Sequence, residues 1–79
     1  MRELDRVDWD WILSEREGDY VLTVVIGWIG VFEVEHVLDA AEVTAWRAEG
    51  RAALSRIASA INAREIGAAR LRMREAAKR

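Results

Sequence analysis

The sequence predicts an α+β fold: a three-stranded antiparallel meander followed by one long amphipathic helix packed on one sheet face, then a short C-terminal helix. Three observations carry this expectation. Residues 7–38 read as alternating or β-branched runs separated by glycine-bearing turns. Asp39 and Glu42 form a helix entry signal, and behind it apolar residues recur at spacings of three and four.

The first strand is expected over residues 7–14, where Val7, Trp9, Trp11 and Leu13 alternate with Asp8, Asp10, Ile12 and Ser14. Residues 1–6 carry alternating charge and are left to fray. Glu17-Gly18 marks a tight turn. A loop of Glu17-Gly18 alone and a loop from Glu15 to Gly18 both put Trp9, Trp11 and Leu13 on the face of Tyr20, Leu22 and Val24, so the face assignment does not depend on the turn.

The second strand spans residues 20–27 and the third 31–38. A one-residue slip between them exchanges the two faces of the sheet. A loop of Trp28-Ile29-Gly30, with Gly30 in the left-handed position, sets Ile26 opposite Phe32, Val24 opposite Val34 and Leu22 opposite His36. That register makes one coherent apolar face, and the shorter loop does not. The expected core is therefore Trp9, Trp11, Leu13, Tyr20, Leu22, Val24, Ile26, Phe32, Val34 and Leu38.

The helix is expected over residues 40–61, capped by Asp39 and Glu42 and stapled by Leu38 and Val43. Its apolar stripe is Val43, Trp46, Gly50, Ala53, Leu54, Ile57 and Ile61. Small residues at Ala41, Ala45, Ala48, Ala52, Ser55 and Ser59 line a second flank, where close approach and simple helix propensity predict the same composition. At about 33 Å the helix is longer than eight-residue strands of about 26 Å. A kink at Asn62–Gly67 is expected next, then a short helix with Ile66, Ala69 and Met73 on one side and a partly disordered tail from Arg74.

A 79-residue chain makes one domain, and at that size it buries only about 60% of the surface its unfolded form exposes. There is no cysteine and only one histidine, so disulfides and two-histidine metal sites within one chain are excluded. Self-association is the remaining common way to stabilise so small a core. The apolar run from Tyr20 to Phe32 is short and interrupted, which predicts no membrane span and a cytoplasmic location.

The net charge of −2 conceals a polarised chain. Residues 1–45 hold 11 acidic and three basic side chains, a balance of −8, while residues 46–79 hold three acidic and nine basic, a balance of +6. Such a chain pairs its halves internally, joins a copy of itself, or offers its acidic end to a basic protein.

Three strands and one helix leave the outer sheet face bare. That face is expected to carry Ile12, Val21, Thr23, Val25, Val31 and Val37 among the carboxylates Asp8, Asp10, Glu33 and Glu35. The interface residues expected from it are Ile12, Thr23, Val25, Trp28, Val31, Glu33 and Glu35, and the partner is a second copy in a homodimer. Asp10 and Glu33 flank Val25 at about 9–10 Å by strand spacing, but an open face without a pocket tunes no catalytic carboxylate. Carboxylates at period two also lack the loop that wraps a hard cation. His36 has no serine or cysteine nucleophile at a matching spacing and is expected under Tyr20 or Trp46 with a hydrogen bond satisfied. No enzyme, cofactor or metal is expected.

Arg64, Arg70, Arg72 and Arg74 make a basic end suited to phosphate contact. A sheet with a C-terminal helix resembles, in topology alone, small dimeric single-strand DNA binders. A groove that tracks a nucleic-acid backbone must be positive, and this sheet is acidic, so a nucleic-acid partner ranks below self-association.

Overall fold

Four antiparallel strands, β1 (Arg2–Val7), β2 (Trp11–Arg16), β3 (Asp19–Trp28) and β4 (Gly30–Val37), form one sheet in chain order. Two helices follow, α1 (Ala40–Glu49) and α2 (Arg51–Ala77). The computed structural model describes residues 1–28 and 30–77, the side chains of Trp28 and of residues 75–77 excepted. Ile29, Lys78, Arg79 and the side chain of Trp28, the expected interface anchor, therefore lie outside what is described.

The sheet has four strands where the alternation predicts three, because the expected strand 7–14 is broken at Asp8–Asp10. The Asp10 N–H donates to the Val7 carbonyl at 3.0 Å, with Trp9 in the left-handed region at φ 64°. Aspartates on both sides of Trp9 favour a turn, and this local preference overrides the alternation. Residues 2–7, which the pattern leaves to fray, then pair with β2, with a register shift between Glu3 and Asp5.

The other two hairpins keep the expected registers. Glu17 and Gly18 both have positive φ, 53° and 86°, as the tight primed turn requires, and Trp11 pairs with Val24 and Leu13 with Leu22. Gly30 is at φ 89°, and Ile26 opposes Phe32, Val24 opposes Val34 and Leu22 opposes His36.

The start of α1 also follows the sequence. The Glu42 N–H donates to Asp39 Oδ1 at 2.8 Å and the Asp39 N–H donates to Glu42 Oε1 at 2.9 Å. Leu38 is buried and Val43 packs on the core.

The end of α1 does not. The expected helix 40–61 is broken at Gly50, which at φ 70° and ψ −140° occupies a region only glycine enters readily. Its N–H closes α1 on the Trp46 carbonyl at 2.7 Å, and its own carbonyl accepts the Ala53 N–H at 3.1 Å to open α2. The apolar stripe continues through Gly50, so periodicity alone does not reveal the bend. Arg56 clasps it by donating to Glu49 at 2.8 and 3.0 Å, and this hydrogen bonding holds the Glu49 carboxyl below the usual carboxylate range. The expected kink at Asn62–Gly67 is absent: α2 passes both residues unbroken and includes Arg74–Ala77 from the expected tail. At about 1 kcal/mol, one glycine within a long helix is tolerated.

The core lies between the inner sheet face and α2. Trp11, Leu13, Leu22, Val24, Ile26 and Leu54 are fully buried, and each contributes about 1.5–3 kcal/mol. The Trp11 Nε1–H donates to Ser55 Oγ at 3.3 Å. Tyr20 and Val34 are half-buried rather than central, and Tyr20 meets Trp46 edge-on with ring centroids 5.1 Å apart. Two expected core residues are not buried: Phe32 is 39% exposed, and Trp9, displaced by its turn, is 85% exposed.

α2 packs on β3 and crosses the sheet from the β1 edge toward β4. Arg51 at its start reaches Asp5 on β1, Ser55 meets Trp11 on β2, and Ile57, Ile61 and Arg64 line a depression with His36 on β4, which shares a row with Asp5. At about 40 Å, α2 is longer than the sheet beneath it, and the molecule measures 46 × 22 × 21 Å.

Candidate functional site

The outer sheet face is built in rows by the strand registers. Ser14, Val21 and Val37 form one row, Ile12, Thr23 and Glu35 the next, and Val25 with Glu33 a third. The Val25 N–H donates to the Asp10 carbonyl at 2.9 Å, which carries the third row to the Asp8–Asp10 turn.

The two ends of this face differ. At one end Arg16 on β2 reaches Glu35 on β4 at 3.3 Å, so its side chain crosses β3. Val21, expected to lie open, is fully buried there, and Ser14 is 4% exposed. At the hairpin end the face stays open. A depression of about 250 Å³ is lined by Arg6, Trp9, Ile12, Val25, Val31 and Glu33, among others. A second depression adjoins it through Ile12 and Glu33 and takes in Thr23 and Glu35. The expectation of a face without recesses is corrected at this end, where the Trp9 turn builds a wall.

The expected interface residues Ile12, Val25, Val31 and Glu33 are thus brought together, with Thr23 and Glu35 beside them. Trp9 and Arg6 are members that alternation misses. The Asp-Trp-Asp run was the available signal for Trp9, since turn-forming aspartates flank it. An aromatic residue held at positive φ and left 85% exposed is strained and solvated at once, a combination that clusters at contact sites. Arg6 is partnered by Glu3 at 3.8 Å and Asp8 at 3.4 Å.

The carboxylates Asp8, Asp10, Glu33 and Glu35 are all exposed. Solvent screening of this kind suits a charged contact surface, whereas acid–base chemistry requires burial. Among the described residues, no group of three or more His, Asp or Glu side chains is placed to hold a metal ion.

His36 lies on the inner side, half-buried, and its Nε2–H donates to both Glu42 oxygens at 2.8 and 3.0 Å. A carboxylate only accepts, so Nε2 carries the proton. Glu42 therefore closes the helix cap and orients His36 together. The hydrogen bond expected of His36 is thus made to Glu42, and Tyr20 and Trp46 pair with each other.

The basic residues Arg64, Arg70, Arg72 and Arg74 are exposed on the distal half of α2, away from the outer face of their own sheet. Arg64 lies 3.8 Å from Glu65. No helix among the described residues is long and apolar enough to cross a membrane. No protein-family model matches the chain, and neither does any curated protein or solved structure.

Proposed function

We propose that this chain is a non-enzymatic assembly module that works as a homodimer. The observation that carries this reading is the open end of the outer sheet face. Trp9, Ile12, Val25 and Val31 sit there in a recess rimmed by Asp8 and Glu33, with Trp9 and Val31 85% and 67% exposed. An apolar recess with a polar rim on a chain of 79 residues is a contact surface in form, and association adds the burial that so small a core lacks. Size-exclusion chromatography with light scattering tests it. A species of twice the 9.0 kDa chain mass is the expected result, and a 9.0 kDa species at high concentration overturns it.

The exposed arginines of distal α2 favour a second reading, contact with nucleic-acid phosphates. That reading requires a gel shift that weakens with salt and disappears when residues 70–79 are removed. A shift that survives the deletion discards it.

A further inference from the structure

We propose that two copies of this chain exchange helical arms, the distal part of α2 in each copy seating in the outer-face recess of the other. The inference rests on the self-association reading and names the occupant of its site.

The first support is geometric. α2 begins at the β1 edge, where Arg51 meets Asp5, and crosses to β4, where Ile57, Ile61 and Arg64 lie beside His36 of the same row. From β1 to β4 the sheet is about 14 Å across, whereas α2 covers about 40 Å. The distal part of α2 therefore overshoots the sheet beyond β4. Burial follows this boundary: Ile66 is the last helix residue packed against the core, and residues 70–74 are all exposed.

The second support is the phase of the helix. Leu54, Ala58, Ile61, Glu65 and Ala68 recur at spacings of four and three on the side that faces the sheet, and each is buried or half-buried. Four residues on, the next position of that stripe is Arg72, which is exposed because its own sheet has already ended. Small Ala68 and Ala69 precede it and Met73, 48% exposed, lies beside it. The arm thus presents a cation within an apolar, close-packing surface.

Charge selects the surface that receives it. The inner face of each sheet is already covered by its own α2, and two arginine-bearing arms repel one another. Of the charges that line the recess, Arg6 is paired to Asp8 and to Glu3 beside it, which leaves Glu33, with Asp10 next to it, to receive a cation. A two-fold axis in the sheet plane, parallel to the strands and beyond β4, turns one copy over. Each arm then lies across the other copy's outer face at its open end. The exchange is reciprocal, so it closes as a dimer without open-ended growth.

Paired charge reversals test this. Glu33→Lys puts a cation in the recess and Arg72→Glu puts an anion on the arm, and both positions are exposed. Each variant alone is expected to raise the dimer Kd by at least about tenfold. In an equimolar mixture every arm regains a recess of opposite charge, so a dimer of twice 9.0 kDa returns, with a Kd within about threefold of the unmodified chain. Far-UV circular dichroism reports the fold of each variant, and Arg72→Gln, which only removes the charge, must shift the Kd in the same direction. An unmodified dimer that ignores both reversals, or a mixture that binds no better than its components, overturns the arm exchange while leaving self-association standing. An unmodified chain that is monomeric instead overturns the underlying reading.

Discussion

The Arg51 guanidinium holds the Asp5 carboxylate with two hydrogen bonds, Nη2 to Oδ1 at 2.7 Å and Nε to Oδ2 at 3.2 Å. This clasp joins the edge strand β1 to the first turn of α2. It lowers the Asp5 pKa through the hydrogen bond to Arg51, against an opposing contribution from burial. A carboxylate lowered in the folded state stabilises fully above its unfolded pKa, about 4, and that stability is lost as pH falls through the folded value. Asp5→Asn is therefore expected to lower the urea midpoint at neutral pH and to flatten its fall between neutral and acid. An acid limb unchanged by the substitution contradicts this.

Gly50→Ala tests the bend between the helices. A Cβ at Gly50 meets nothing within 4 Å, so its cost is conformational and comes from φ 70° and ψ −140°. The expected loss is about 1–3 kcal/mol in urea unfolding. A gain in stability shows that the chain prefers a straight helix through residue 50.

Substitutions on the two sides of the sheet separate folding from assembly. Leu54 is fully buried beneath the sheet, so Leu54→Asp places an unpaired charge in the core and is expected to unfold the chain. Val25 lies in the outer recess, so Val25→Asp is expected to keep the far-UV circular dichroism spectrum and weaken the dimer. Loss of fold in the second variant assigns the core to the wrong face.

Trp9→Gly asks whether the exposed tryptophan serves the monomer. Relief of its positive φ and the added freedom of glycine oppose each other, so stability is expected to change by less than about 1 kcal/mol. Dimer affinity is expected to fall. A large loss of stability instead returns Trp9 to the core.

The features legible in the sequence are those set by neighbours along the chain. The Asp39–Glu42 cap, the Glu17-Gly18 turn and the register that opposes Val24 to Val34 all follow from local hydrogen bonding and a single apolar face. The interface residues Ile12, Val25, Val31 and Glu33 follow from that register as well. Tertiary structure decides where local preferences compete. Asp8 and Asp10 turn the chain at Trp9 against an alternation that continues through it. Gly50 bends a helix whose apolar period does not falter, and the clasps Asp5–Arg51 and Glu49–Arg56 hold that bend across separations that periodicity does not register. The recess depends on both decisions: the Trp9 turn raises its wall, and the bend turns α2 back across the inner face toward β4, leaving the outer face uncovered.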